Sequence, residues 1–208
     1  IGVSCSVSGI GLAGFGTVGS RVWNILEEHG GLIESRSQGS AAMEIRQIAV
    51  RDLSKKREGD APAELFTTNL MEVVENPLID IVVELIGGTK AAFNLVAEAL
   101  KAGKPVVTGN KALLAERGTE LFAISKETNT PIYFEAAVAG GIPIIKAVQQ
   151  SLVGNRIESI AGIINGTSNY ILQRMTEAGL GYPEALKEAK NWKEFYDDIA
   201  KNLGLLEI

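Results

Sequence analysis

A glycine-rich turn between an apolar strand and an amphipathic helix constrains the fold of this chain more than any other stretch. Residues 9–13 predict a short strand, and Thr17–His29 predict a helix that closes at Gly30-Gly31. The turn reads Gly14-Phe15-Gly16-Thr17-Val18-Gly19, with the spacing G-x-G-x-x-G. The first glycine permits a tight turn, the second lets the backbone approach a pyrophosphate, and the third lets the helix pack closely on the strand. The pattern predicts dinucleotide binding, with a turn that only connects the two elements as the alternative.

Strands and helices alternate up to residue 134. Beyond the first strand, we expect strands at Glu44–Val50, Leu78–Ile86, Lys104–Thr108 and Pro131–Phe134. Helices are expected at Thr89–Ala102 and Ala112–Thr128, with loops at residues 31–42 and 54–63. This alternation is typical of an α/β fold with a doubly wound parallel sheet.

After residue 134 the sequence becomes rich in small residues (EAAVAGGIP), and we place a domain boundary at Glu135. Residues 1–134 then form the dinucleotide-binding domain, and residues 135–208 form a second α+β unit for substrate binding and dimerisation. In that unit we expect helices at Ile144–Leu152, Ser168–Ala178 and Tyr182–Leu203 and a strand at Arg156–Ile164. Apolar residues of the last helix predict a buried stripe: Leu186, Trp192, Phe195, Ile199 and Leu203.

Composition excludes several classes of function. The formal net charge of −5 argues against a general nucleic-acid surface. No apolar run reaches the roughly 20 residues that span a bilayer, and the first residues lack the basic start of a signal peptide. Cys5 and His29 are the single cysteine and histidine, which excludes an intrachain disulfide and argues against a zinc or Ser-His-Asp site. We therefore expect a cytoplasmic protein with no membrane or nucleic-acid partner.

The end of the second predicted strand discriminates between NAD and NADP. An acid at this position binds the ribose 2′-hydroxyl, whereas an arginine accommodates a 2′-phosphate. Here Arg51 comes first, Asp52 follows, and the basic cluster Lys55–Arg57 comes next. A guanidinium binds phosphate through two parallel hydrogen bonds, so the sequence favours NADP. NAD remains open through Asp52, and the basic cluster alone is also typical of a solvated turn.

Several motifs together resemble homoserine dehydrogenase. They are GFGTVG (14–19), VELIGG (83–88), VTGNKALLAERG (107–118), YFEAAVAGGIPII (133–145) and GIINGTSNYIL (162–172). The resemblance runs from about residue 9 to about residue 189. It implies reduction of aspartate semialdehyde to homoserine with a nicotinamide cofactor, in the branch that leads to threonine and methionine. Members of the family are usually homodimers or larger, which implies self-association here.

Lys111 follows the predicted strand Lys104–Thr108 at the sheet edge where open α/β folds bind ligands. A lysine there holds an anionic group or takes part in proton transfer. The resemblance implies that Lys111 lies where the nicotinamide meets the substrate, and the alternative is a surface lysine at a helix start. Gly87 and Gly88 end another strand at the same edge, and their small size leaves room for the cofactor.

Two further loops have roles that the resemblance implies. The first is a sodium or potassium site at Glu135, Val138, Gly140 and Ile142, formed mostly by backbone carbonyls, with a plain hinge as the alternative. The second is contact with nicotinamide and substrate by Asn165, Gly166 and Thr167. Thr167 or Ser168 is also suited to cap the helix that follows.

The sequence departs from the family after EALKEAK (184–190). The family has a glutamate and an aspartate that bind the substrate amine, and a lysine that donates a proton, and none of these has a match here. Residues of suitable chemistry follow without the motif, so they receive no role: Lys193, Glu194, Asp197, Asp198 and Lys201. The chain is thus a naturally short protein, an engineered or aberrant one, or a piece of a longer one. A nucleotide-binding protein without catalysis is the alternative function.

Overall fold

Six strands form one parallel sheet in the computed structural model, which describes residues 7–37, 42–57, 59–162 and 166–191. The strands are β1 (Ser8–Ala13), β2 (Met43–Ala49), β3 (Phe66–Thr67), β4 (Ile81–Glu84), β5 (Val106–Thr108) and β6 (Ile132–Tyr133). Their order is β3-β2-β1-β4-β5-β6, and every neighbouring pair is parallel. This is the doubly wound α/β sheet of the Rossmann type, so the predicted fold class is confirmed.

Helices connect the strands and continue beyond the sheet. They are α1 (Thr17–Arg36), α2 (Glu72–Glu75), α3 (Lys90–Lys101), α4 (Lys111–Thr128), α5 (Ile144–Lys146), α6 (Gly166–Glu177) and α7 (residues 182–191). A 3₁₀ turn at Ala63–Leu65 precedes β3, another follows β6 at Glu135–Ala137, and a π-helical turn at Ala147–Ser151 continues α5. None of the helices in the described part of the chain is long and apolar enough to cross a membrane.

The two faces of the sheet build two separate cores. Val82 packs into a cluster with residues of α2, α3 and α4, whereas its neighbour Val83 packs into a cluster with Trp23 of α1. Successive side chains of a strand point to opposite faces, so a sheet covered on both sides requires apolar residues at consecutive positions. The apolar run that predicts the central strand follows from this requirement.

Helix α1 is longer than the sequence predicts. It continues through Gly30 and Gly31 to Arg36, although the two glycines are a signal for its end. Neither glycine takes the left-handed conformation that closes a helix, and the cap is Ser37, whose N–H donates to the Ile33 carbonyl. A glycine inside a helix costs about 1 kcal/mol, a penalty that the remaining turns outweigh here. The loop expected from residue 31 is therefore wrong in its first six positions.

Other bounds also differ from the predictions. Strand β4 begins at Ile81, and Leu78, expected in that buried strand, is 65% exposed. The strand predicted at Arg156–Ile164 is absent over residues 156–162, which are exposed. A strand needs a partner for its backbone groups, and no described strand pairs with this segment. Helix α7 confirms the start of the predicted terminal helix, whose residues from Trp192 onward lie outside the described residues.

The chain divides into two compact units, Ile1–Ser151 and Leu152–Ile208. The first contains the sheet. In the second, Ile171 of α6 packs with Ala185 and Ala189 of α7, and Arg174 pairs with Glu188 at 2.7 Å. The domain boundary expected at residue 135 stays a prediction.

The α3 face of the sheet provides a test of the core. Leu95 is 1% exposed in the cluster on that face. Leu95→Ala is expected to lower the free energy of unfolding by about 2–5 kcal/mol, because it removes buried methyl groups and leaves a cavity. Urea denaturation followed by circular dichroism measures the loss. The exposed Leu78 is the matched control, and an equal loss for Leu78→Ala would contradict this description of the core.

Candidate cofactor site

The carboxyl edge of the sheet has a crevice between β1 and β4. Strand order reverses at this pair, because the chain goes from β1 outward to β3 and then returns to β4. The connections on the two sides therefore lead away in opposite directions and leave a gap above the strand ends, where open α/β sheets bind ligands. The predicted glycine loop, residues 14–19, lies directly after β1 at this edge.

The glycine loop has the close contacts that its spacing predicts. Gly14 has φ +103°, and a Cβ there would lie 2.6 Å from the Leu85 carbonyl oxygen. A Cβ on Gly19 would overlap the Gly14 carbonyl oxygen, so this glycine lets α1 pack against the turn. A Cβ on Gly16 would meet no protein atom within 4 Å. The protein therefore leaves open space at Gly16, which is where a pyrophosphate would approach the backbone.

Basic residues of the loop after β2 share a cavity with the glycine loop. The cavity measures about 480 Å³ and is lined by Gly14, Phe15, Gly16, Val50, Arg51, Asp52, Lys55, Arg57, Leu85 and Ile86. Both Arg51 and Lys55 are exposed. The fold thus places Arg51, Lys55 and Arg57 in one cavity with the glycine loop, although Arg51 and Lys55 are exposed to solvent.

The carboxylate of Asp52 is bound within its own loop. It accepts hydrogen bonds from the backbone N–H of Ser54 at 2.8 Å and from its hydroxyl at 2.7 Å. These two bonds, with smaller contributions from Arg57 and Lys55, hold the pKa of the Asp52 carboxyl below its ordinary value. Asp52 therefore shapes the loop of residues 51–57, the basic loop, through its Oδ1, which accepts both hydrogen bonds.

Aromatic contacts fix the basic loop against the glycine loop. Phe15 meets Phe66 of β3 edge to face, with ring centroids 5.3 Å apart. The Arg57 guanidinium lies 5.6 Å from the centroid of the same Phe66 ring, and it donates to the carbonyls of Lys55 and Asp52. Trp23 of α1 donates from Nε1 to Asp60 at 3.0 Å. Sequence reasoning missed Phe66 and Asp60, because neither lies in a motif.

A second cavity, of about 360 Å³, lies on the other side of the glycine loop. It is lined by Val18, Leu85, Gly87, Gly88, Gly109, Asn110, Lys111 and Ala112. The fold therefore brings together Gly87, Gly88 and Lys111, which the sequence places at separate strand ends and helix starts. Lys111 is the exposed first residue of α4, and its ammonium has no hydrogen-bond partner among the described residues. A free cation beside an open cavity is suited to an anionic or carbonyl ligand.

A buried carboxylate below this second cavity escaped sequence reasoning. Glu84, the last residue of β4, is 0% exposed. It accepts hydrogen bonds from the Thr108 hydroxyl at 2.6 Å, the Ile86 N–H at 3.0 Å and the Asn110 amide at 3.4 Å. Among the described residues no Lys or Arg pairs with it. The sequence signal that could have identified Glu84 is its charge within an otherwise apolar strand, IVVELI (81–86).

The loop predicted to hold a cation follows β6. The carboxylate of Glu135 accepts from the N–H groups of Ile145 and Lys146 at 3.0 and 2.9 Å, so it caps the start of α5. Among the described residues, the carbonyls of Val138 and Gly140 accept no backbone hydrogen bond, whereas those of Glu135 and Ile142 each accept one. No group of three or more His, Cys, Asp or Glu suited to a metal occurs in the part of the chain that the structure describes.

The predicted substrate loop belongs to the second unit. Gly166 and Thr167 are the first two residues of α6, and Asn165 lies outside the described residues. The contacts with nicotinamide and substrate predicted for these three residues stay predictions. The cap predicted at Thr167 or Ser168 is wrong, because both residues lie inside the helix.

Comparison with known proteins decides the family. A sequence model of the homoserine dehydrogenase NAD-binding domain matches residues 14–135, more than half of the chain. The chain belongs to the homoserine dehydrogenase family. A second homoserine dehydrogenase model matches residues 143–198, somewhat beyond residue 189, where the motif resemblance ends.

Related homoserine dehydrogenases support this assignment along most of the chain. That of Corynebacterium glutamicum is 47% identical over 184 residues, and that of Bacillus subtilis is 43% identical over 182 residues. Each alignment covers 88% of this chain but only 41% and 42% of the relatives. The chain thus spans about two fifths of the length of these homoserine dehydrogenases.

Solved structures of the family have the same fold. A homoserine dehydrogenase from Thiobacillus denitrificans matches with a TM-score of 0.75 and 45% identity, over 90% of this chain and 43% of that one. A hyperthermophilic archaeal homoserine dehydrogenase in complex with NADPH matches with a TM-score of 0.70 and 27% identity, over 90% and 62% of the two chains.

Two glycines of the loop are expected to respond differently to the same substitution. Gly19→Ala is expected to lower the free energy of unfolding by about 1–3 kcal/mol, because the methyl group overlaps the Gly14 carbonyl. Gly16→Ala is the matched control, with a change below about 1 kcal/mol, because space at Gly16 is open. Thermal and urea denaturation of both variants measure the difference. Equal losses would contradict the loop geometry.

Proposed function

We propose that this chain binds NADP(H) across the carboxyl edge of its sheet. The observation that carries the proposal is the first cavity, where Arg51 and Lys55 stand beside the glycine loop. The first turn of α1 has no side-chain cap, so its N–H groups are available to a pyrophosphate. The basic side chains suit the additional charge of a 2′-phosphate, and Asp52 is engaged by Ser54. NADP is therefore favoured over NAD.

The nicotinamide half of the cofactor is assigned to the second cavity. Gly87 and Gly88 bring no side chains to it, and Val18 and Leu85 give it apolar walls. The two cavities share Leu85 and lie on either side of the glycine loop, which suits a ligand whose two halves join at a pyrophosphate. The solved archaeal relative is in complex with NADPH, which supports a nicotinamide cofactor for this family member.

The reaction proposed for the assembled site is that of homoserine dehydrogenase, the reversible reduction of aspartate semialdehyde to homoserine. When bound, NADPH supplies a hydride for the aldehyde carbon. Lys111 orients the carbonyl or gives a proton to the oxygen that becomes the alcohol, because its ammonium is free at the edge of the second cavity. Residues 165–167 are assigned to enclose the substrate.

Further assignments follow the family resemblance. A sodium or potassium ion is proposed at Glu135, Val138, Gly140 and Ile142, and the carbonyls of Val138 and Gly140 are suited to it. Self-association as a homodimer or larger assembly, a cytoplasmic location and a place in threonine and methionine biosynthesis complete the proposal.

Nucleotide binding without turnover is the second candidate function. The resemblance implies two acids and a lysine that act on the substrate, and none of them has a matching motif among these 208 residues. Homoserine-dependent reduction of NADP, followed by nicotinamide absorbance on the 208-residue chain, separates the candidates. Turnover supports the enzyme, and NADPH binding without turnover supports the second candidate.

Arg51 tests the cofactor preference. Arg51→Ala is expected to raise the Kd for NADPH about tenfold or more, because a charge-assisted contact with the 2′-phosphate is lost. The Kd for NADH is expected to change little, and calorimetric titration with both nucleotides measures the ratio. Arg46→Ala is the control, since Arg46 pairs with Glu44 on the same strand. An equal change for the two nucleotides would refute the role of Arg51.

Lys111 tests the proposed chemistry. Lys111→Ala is expected to lower kcat by about 10²–10⁴-fold if its ammonium supplies the proton, with the unfolding curve unchanged. The control is Lys126→Ala, an exposed lysine in the last turn of the same helix. Turnover that survives at the unsubstituted rate would remove Lys111 from the mechanism.

A further inference from the structure

Glu84 occupies the central position at the carboxyl edge of the sheet. In the parallel register it lies opposite Ala13 of β1 on one side and Thr108 of β5 on the other. The loops that follow these three strand ends are the glycine loop, residues 85–88 and residues 109–111, and they line the two cavities. A single buried carboxylate therefore lies at the base of these three loops.

The hydrogen bonds of Glu84 to Thr108 and Asn110 lead to the second cavity, whereas its bond to Ile86 reaches a residue that lines the first. Its Oε1 accepts from the N–H of Ile86 and from the amide of Asn110, and its Oε2 accepts from the Thr108 hydroxyl. That hydroxyl in turn accepts from the N–H of Asn110 at 3.1 Å. All three partners donate to Glu84, which suits a carboxylate because a carboxylate only accepts.

Asn110 forms hydrogen bonds with both walls of the second cavity. Its amide donates to the Gly88 carbonyl at 2.7 Å, and its Oδ1 accepts from the N–H of Leu113 at 3.0 Å. The first bond holds the Gly87-Gly88 turn, and the second caps the helix that begins with Lys111. Burial makes these bonds costly to break, since an unpaired carboxylate or amide without water loses its solvation.

We propose that Glu84 is a positioning residue for the nicotinamide subsite, an inference that rests on the proposed binding of NADP(H). Its carboxylate holds Ile86, Thr108 and Asn110, and through Asn110 it fixes the Gly88 carbonyl and the start of the Lys111 helix. The basic loop that faces the adenosine half has no hydrogen bond to Glu84 among the described residues. Only the Ile86 bond reaches the first cavity, so the loss of Glu84 should weaken binding of the nicotinamide half much more than binding of the adenosine half.

Two ligands distinguish binding of the nicotinamide half of the cofactor from binding of the adenosine half. NADPH occupies both cavities, whereas adenosine 2′,5′-bisphosphate has the 2′-phosphate and adenosine but no nicotinamide. Glu84→Gln keeps the size of the side chain and replaces one acceptor oxygen by an amide donor, which leaves one acceptor oxygen for the three groups that donate to Glu84. Calorimetric titration of the 208-residue chain is expected to give about a tenfold rise in Kd for NADPH and less than about a twofold change for the bisphosphate.

Thr108→Val provides a second route to the same network. It removes the hydroxyl bonded to Glu84 at 2.6 Å while keeping the shape, and a loss selective for NADPH is expected again. Asp80→Asn is the matched control. Asp80 lies just before the same strand at the opposite edge of the sheet, where its carboxylate accepts from the N–H of Gly9 at 2.7 Å. Asp80→Asn is expected to change neither the Kd for NADPH nor the Kd for the bisphosphate.

Equal losses for both ligands, or an unchanged Kd for NADPH in both variants, would overturn the positioning role while leaving the proposed function intact. If the unsubstituted chain bound neither ligand, the proposed function would fail first, and this inference with it. The selective loss is the result that a purely structural contribution of Glu84 would not produce.

Discussion

Parallel pairing of β1 with β4 is the constraint on which the rest of the molecule depends. It puts the ends of the two central strands at the same edge and sends their connections to opposite faces of the sheet. The crevice above them, the glycine loop on one side and the Gly87-Gly88 turn on the other all follow from that pairing. The same pairing sets Glu84 beside Ala13, so the buried carboxylate and the start of the glycine loop share one rung of the sheet.

Much of the fold could be predicted from the sequence, because strands covered on both faces have to be apolar. The stretch around Val82 and Val83 is identifiable as buried for this reason. Strand β3 has only two residues and α2 only four, so both are too short to show the periodic spacing of apolar residues that identifies a strand or a helix. The two glycines of α1 are a stop signal in the sequence, but the helix continues past them to a cap at Ser37, whose N–H donates to the Ile33 carbonyl.

The candidate site was predictable where it consists of local motifs. Gly14, Gly16, Gly19, Arg51 and Lys111 are found by their place after strands, since ligands gather at the carboxyl edge of such sheets. The side-chain partners of Glu84 come 24 and 26 residues later in the chain, and no local pattern connects them. The same is true of Phe66, which joins the glycine loop to the basic loop only after β3 has paired with β2.

Amide resonances of the ¹⁵N-labelled 208-residue chain, recorded with increasing NADPH, test the central claim most directly. Shifts are expected at residues 14–19, Arg51, residues 87–88 and Lys111. Resonances at the amino edge are expected to stay unchanged, and Gly9 and Lys104 serve as references there. Shifts confined to the amino edge or to residues 166–191, or no shift at all at saturating nucleotide, would contradict a cofactor site at the carboxyl edge of this sheet.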